Sequence, residues 1–242
     1  CGFLILLVPM CRVNILAKKY AFICLTLFSF IFAYEGFNKA NHPFWKLTTV
    51  DVGQGDSHLI ATPSGKMLLI DAGDSEQLSG KGKKDSGKDI IVPYLHHTGV
   101  SSLDALIITH PDLDHYGGAL SIIKTFPVKE LWITDCARIE DKASWQKIIS
   151  ETLKRKIPIR DLHSGFIWRE KYFELSVLHP DTETCIDANT QSITFRAKGL
   201  GHSAILTGDL TIAGEKEILR KKVFLNSDVL KLGHHGSKTS SN

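Results

Sequence analysis

The stretch Thr109-His110-Pro111-Asp112-Leu113-Asp114-His115-Tyr116-Gly117-Gly118 decides the reading of this chain. It follows the apolar run Ala105-Leu106-Ile107-Ile108, which has the length and composition of a buried strand. His110, Asp112, Asp114 and His115 then bring four metal-ligand side chains into six residues. Imidazole and carboxylate groups are the usual protein donors to Zn²⁺, Mn²⁺ and iron. A strand that stops abruptly can fan such groups around one point. Gly117 and Gly118 let the next helix begin close against it. A solvated polar turn is the bland alternative, but such turns seldom collect two His and two Asp behind an apolar lead-in.

Outward from this stretch the same arrangement recurs. Five apolar runs end directly in a ligand-type residue: Asp71, His110, His179, Asp209 and His234. One such ending means little. Five within about 165 residues suggest strand ends converging on one edge of a sheet core. Strands are expected over 46–52, 58–62, 67–70, 104–109, 131–134, 172–178, 192–197, 203–207 and 229–232. Helices are expected over 90–97, 116–125, 141–156 and 211–221. Trp145 lies on the apolar face of the third helix, as a core residue rather than a base-stacking one. Strands alternating with helices point to an α/β sandwich.

The 242 residues suit one domain with something added, and 43% apolar residues are enough for a full core. A net charge of +3 is too mild to mark a nucleic-acid binder by itself. The five cysteines show no Cys-x-x-Cys spacing, and Cys136 and Cys185 of the globular part read as two inert thiols, with a disulfide between them as the alternative. No Walker loop, Gly-x-Gly-x-x-Gly turn or Gly-x-Ser-x-Gly elbow occurs. The glycine-rich loop 79–88 carries Lys81, Lys83, Lys84 and Lys88; it reads as a surface insertion, with phosphate attraction as its functional alternative.

Residues 1–10 read as the end of a membrane helix, and 18–36 as a transmembrane helix. The uncharged run 20–34 is shorter than the roughly 20 residues of a span, but Lys18 and Lys19 can snorkel at its start. Their position puts that side in the cytoplasm and everything after residue 35 outside it. A linker is expected over 37–45 and the globular domain over 46–242. The missing initial Met and the Ser/Thr cluster at the end read as a fragment of a longer, multi-pass protein.

Asp112, Asp114 and Asp209 cannot gather unpaired at neutral pH; their mutual repulsion requires cations. Two metal ions sharing one carboxylate would resolve it, supply a water nucleophile near neutral pH and clamp a phosphoryl or carbonyl group.

His110-x-Asp112-x-Asp114-His115 resembles the His-x-His-x-Asp-His signature of the metallo-β-lactamase superfamily. More narrowly, Asp51-Val52-Gly53-Gln54-Gly55-Asp56, the His-x-Asp-x-Asp-His variant and Gly233-His234-His235-Gly236-Ser237-Lys238-Thr239-Ser240 resemble the C-terminal domain of the ComEC family of DNA-uptake channels. The resemblance covers 46–242. It implies a metallo-β-lactamase-like αββα sandwich, C-terminally truncated and preceded by a transmembrane helix. It also implies an extracytoplasmic nuclease or phosphodiesterase that degrades the DNA strand not imported. Implied partners are DNA, the membrane and other DNA-uptake proteins.

By that resemblance and donor chemistry, His110, Asp112 and His179 hold one metal and Asp114, His115 and His234 the other, with Asp209 bridging. Asp71 orients a ligand. His234 is preferred over His235 because it lies nearer the strand. His235, Ser237 and Lys238 would meet a phosphate or assist the leaving group, and Lys81, Lys83 and Lys84 would attract DNA. Asp112, where the superfamily has a second His, makes the site richer in oxygen and favours Mn²⁺ over Zn²⁺, zinc remaining the alternative. The competing functions are an esterase of phosphocholine type, a lactam or thioester hydrolase, and a DNA-guiding channel module without catalysis.

Overall fold

The computed structural model describes residues 15–40, 44–181, 185 and 187–240. It contains two compact units, 1–41 and 42–242. The first unit contributes one helix, α1 (Ile15–Ala40). Its segment Leu16–Tyr34 spans 19 residues at a mean hydropathy of 1.6, long and apolar enough to cross a membrane. The helix continues through Ala40, so the first four residues of the expected linker 37–45 are helical. The membrane helix expected over 1–10 lies outside the described residues.

The second unit is built on two sheets. The first has six strands in the order β1 (Lys46–Thr49), β2 (His58–Ala61), β3 (Met67–Ile70), β4 (Ala105–Ile107), β5 (Leu131–Ile133), β6 (Ile159–Asp161). The first three are antiparallel and the rest parallel. The second sheet has the order β11 (Val229–Lys231), β10 (His202–Leu206), β9 (Thr194–Gly199), β8 (Phe173–His179), β7 (Ile167–Glu170).

Runs such as Met67–Ile70 and Ala105–Ile107 are apolar at every position because both faces of their sheet are covered. Leu68, Ile70, Ala105, Ile107 and Trp132 face the second sheet and pack against Leu175, Val177, Phe195 and Leu206. The alternate residues Leu69, Leu106, Leu131 and Ile133 face helices α3 (Val92–His97), α5 (Ala119–Thr125) and α7 (Ala143–Lys154). Trp145 is fully buried there, as expected of a core residue, and its Nε1 donates to the Ala137 carbonyl. Helix α8 (Ile212–Arg220) lies against the second sheet, which completes an αββα sandwich.

The differences from the sequence reading have local causes. The helix expected over 116–125 is two, α4 (Leu113–Tyr116) and α5, because the chain turns at Gly117-Gly118. A Cβ on Gly118 would lie 2.4 Å from the Gly87 nitrogen, so two backbones meet where neither tolerates a side chain. The helix expected over 90–97 begins earlier, as a π-helical turn at Gly87–Ile91. Strands β6 and β7 and helices α2 (Glu76–Ser79) and α6 (Asp135–Ile139) are additional. Cys136 and Cys185, expected as free thiols, form a disulfide with a Cα–Cα distance of 5.4 Å. Sequence spacing cannot show that proximity; the fold creates it.

Candidate metal centre

Register brings the ligand-type residues to one edge. In the first sheet Ile70 pairs with Ile107, so Asp71 and the 109–115 loop leave side by side. In the second sheet Leu206 pairs with Lys231, so Asp209 and the His234–His235 turn leave together. The Ile193 N–H donates to the Thr109 carbonyl at 2.9 Å and joins the two sheets at this edge.

Asp71 is the hub. Its φ of 60° puts it in the left-handed region, which an aspartate tolerates better than most residues. Three bonds hold it there: the Thr109 N–H donates to Oδ1 at 2.8 Å, and the Thr109 hydroxyl and His115 Nδ1 donate to Oδ2 at 2.8 Å each. These bonds also fix tautomers. The single hydroxyl proton of Thr109 goes to Asp71, so Thr109 Oγ1 accepts from His110 Nδ1 at 3.0 Å. His110 Nε2 is therefore a bare lone pair, fully buried and without a hydrogen-bond partner.

That lone pair faces carboxylates: His110 Nε2 lies 3.7 Å from Asp112 Oδ2 and 4.0 Å from Asp209 Oδ2. His115 Nε2 lies 3.2 Å from Asp209 Oδ1, off the line of a hydrogen bond. Asp114, His115, Asp209 and His235 offer ligand atoms all within 4.8 Å of one another. Buried acceptors left without donors are costly, and a divalent cation among them satisfies them together. The donor set thus fits a metal ion, with two imidazoles oriented by partners on their far sides.

Electrostatics set the two imidazoles apart. Burial, with the charge of His115 beside it, pushes the His110 pKa down to about 3, so this ring is neutral. Burial opposes charge on His115 too, but Asp71 and Asp209 override it and carry its pKa up to about 10. Burial would raise the Asp209 carboxyl, yet His115, His110 and His235 hold it below the usual carboxylate range.

Residues 50–242 match the metallo-beta-lactamase superfamily. The chain belongs to that superfamily. Among curated relatives of this superfamily member, "ComE operon protein 3" of Bacillus subtilis is 31% identical over 90% of this chain and 28% of its own length. "Recombination protein 2" of Haemophilus influenzae is 32% identical over 95% of this chain and 26% of its own, and "Competence protein ComA" of Neisseria gonorrhoeae 32% over 81% and 24%. The chain spans about a quarter of the length of these relatives.

The structure gathers Asp71, His110, Asp112, Asp114, His115, Asp209, His234 and His235 at one edge, with His110 and Asp112 on the loop after β4 and Asp114 and His115 on α4. Asp112 also takes the Lys142 ammonium at 2.8 Å. Two placements depart from the sequence reading. His179 is outside the cluster: it ends β8, buried, with Nε2 donating to the Thr190 carbonyl at 2.6 Å and Nδ1 3.5 Å from Glu217. The second is the His pair. His235, not the preferred His234, joins the four-residue group; His234 Nδ1 bonds Thr239 Oγ1, and its Nε2 lies 3.8 Å from Asp209. Both residues have positive φ (44° and 51°), and that tight turn, rather than nearness to the strand, sets where the rings point.

Ser237 is half-buried and Lys238 exposed just beyond this turn, and Lys81, Lys83 and Lys84 are exposed on their loop. The sequence reading assigned no role to Asp56, Thr109 or Lys231. Asp56 closes the quoted glycine turn and lies 3.4 Å from His235 Nδ1. A Cβ on Gly55, at φ +90°, would overlap the Asp114 carbonyl, so this turn packs directly on the start of α4.

Proposed function

We propose that this chain is a metal-dependent phosphodiesterase that cleaves DNA during its uptake across a membrane. The observation that carries the proposal is the buried, bare His110 Nε2 aimed at the Asp209 carboxylate, beside Asp112, Asp114, His115 and His235. His110, His115, Asp114, Asp209 and His235 would hold the metal, with Asp112 beside them and Asp71 orienting His115. A divalent ion there lowers the pKa of bound water and polarises a phosphoryl oxygen. The oxygen-rich set favours Mn²⁺.

The chain's own residues supply the rest. His235 and Asp114 keep about a third of their side-chain surface exposed and so face incoming substrate, at 33% and 27%. Lys238, exposed just beyond His235, would give a proton to the leaving oxygen as the phosphorus–oxygen bond breaks and water's oxygen takes its place. Ser237 and Lys238 follow on the same turn and would contact the flanking phosphates. The loop lysines 81, 83 and 84 would add attraction that weakens with salt.

The similarity to competence proteins supports DNA as the substrate. The apolar α1 supports membrane anchoring. Lys18 and Lys19 at its start support a cytoplasmic N-terminal side, with the hydrolase domain beyond the membrane. The Cys136–Cys185 disulfide supports the same placement, because such bonds persist in oxidising compartments.

The test is cleavage of single-stranded and duplex DNA by the metal-stripped chain after adding Mn²⁺, Zn²⁺ or Mg²⁺. Phosphocholine esters and a β-lactam run alongside. Mn²⁺-dependent DNA cleavage lost by at least about 1,000-fold in Asp209→Asn is the expected result. Turnover of another substrate and not DNA would contradict it.

A further inference from the structure

Among the described residues, two groups at the site edge have metal-like spacing, and they share His115. One is Asp114, His115, Asp209 and His235; the other is Asp56, Asp71 and His115, again with ligand atoms within 4.8 Å of one another. The second group differs in that its donor atoms are already engaged. Asp71 Oδ2 takes the Thr109 hydroxyl and His115 Nδ1. His115 Nδ1 carries the proton of that bond and has no lone pair to offer on this side. Asp56 Oδ2 is in direct contact with the Lys231 ammonium.

Lys231 is the last residue of β11, and its side chain turns inward, only 15% exposed. Its Nζ donates to the Gly208 carbonyl at 2.8 Å and stands 3.7 Å from Asp209 Oδ1. A buried ammonium is costly unless paired, and here two carboxylates and a carbonyl surround it. The pairing divides the Asp209 carboxylate. Oδ1 faces Lys231 and His115, at 3.7 and 3.2 Å. Oδ2 faces His235, His234 and His110, at 3.5, 3.8 and 4.0 Å. His110 Nε2 on the Oδ2 side and His115 Nε2 on the Oδ1 side are both without a hydrogen-bond partner, but the Oδ1 side also carries the ammonium. A second divalent ion on the Oδ1 side would sit beside an ammonium in a poorly screened pocket and be repelled.

The geometry points to Lys231 as a built-in second cation: its ammonium holds the Asp56–Asp209 side of the cluster, and the site takes one divalent ion instead of two. Lys231 is on this reading a positioning residue that keeps Asp209 from bridging a metal pair. The inference rests on the metal site proposed above.

The test is the number of Mn²⁺ ions bound per chain, by calorimetric titration of the metal-stripped full chain in detergent micelles. The Mn²⁺ EPR spectrum serves as a second readout, because two ions sharing a carboxylate couple magnetically and one ion does not. Ions that an Asp209→Asn chain still binds are subtracted as bound elsewhere. The expected result is one ion with an uncoupled spectrum for the wild type. Lys231→Met, which keeps the length and removes the charge, should take up two ions with a coupled spectrum. Two coupled ions in the wild type overturn the inference while leaving the metal site standing. One ion in a folded Lys231→Met chain also overturns it, because the ammonium is then not what excludes the second. No ion at all overturns it together with the metal site.

Discussion

Thr109 shows how much of the site depends on a residue that is neither acid nor base. Its hydroxyl donates to Asp71 and accepts from His110, so one side chain sets the tautomer of a neighbouring imidazole and half-fills a buried carboxylate. Thr109→Val keeps the shape and removes both bonds. Partners behind metal ligands are worth about 10–100-fold in metal affinity, so Mn²⁺ titration of Thr109→Val should show a loss in that range with the fold intact. Unchanged affinity would mean that His110 is oriented by something else. The ligand-type residues were legible in the sequence because His and Asp at strand ends advertise their chemistry. Thr109 read only as the end of a strand, Asp56 as part of a glycine turn and Lys231 as an ordinary strand residue. The choice between His234 and His235 turns on two positive φ angles, which sequence does not display.

Asp104 gives a pH dependence away from the site. Partial burial would raise its carboxyl, but Lys129 at 2.7 Å, the Met67 N–H at 3.0 Å and Lys66 at 3.2 Å outweigh that and hold it below the usual carboxylate range. A carboxyl depressed in the folded state contributes stability above its unfolded value of about 3.9 and loses it as the pH falls through the lower, folded value. Urea unfolding of Asp104→Asn at pH 7 should show a loss of about 1 kcal/mol, allowing for solvent screening of both lysines. The gap to the wild type should close below about pH 4. A gap that persists in acid would place the effect in packing.

Among the secondary-structure elements, the wholly apolar strands were legible and the polar ones were not. Met67–Ile70 and Ala105–Ile107 are apolar throughout, which announces burial on both faces. Ile159–Asp161 and Ile167–Glu170 alternate or are mostly polar and lie at sheet edges, so they carry little pattern to read. The disulfide was illegible for another reason. Cys136 and Cys185 are 49 residues apart, and the fold brings them together where Cys136 of α6 meets Gln191. A cross-link closing a loop of that length is worth about 3–4 kcal/mol, largely through the unfolded chain. Cys136→Ser, or the reduced wild type, should unfold at correspondingly lower urea. An unchanged midpoint would show that the thiols are not bonded in the folded protein.

The domain is organised so that two sheets end at one edge. One apolar layer fixes the sheets face to face, a second seats the helices, and registers such as Ile70 with Ile107 and Leu206 with Lys231 bring the ligand loops level. Five strand ends carrying ligand-type residues suggested that convergence from the sequence alone. Four of them meet; His179 stays with Thr190 and Glu217, a placement illegible in the sequence because a lone His after a strand has no signature separating a ligand from a core residue.

Crystals of the chain soaked in Mn²⁺ and measured at the manganese absorption edge would locate the ion without reference to activity. The expected result is an anomalous peak within bonding distance of both His110 Nε2 and Asp209 Oδ2. A peak elsewhere, or none at that position in crystals that bind manganese, would contradict a metal centre built on these two residues.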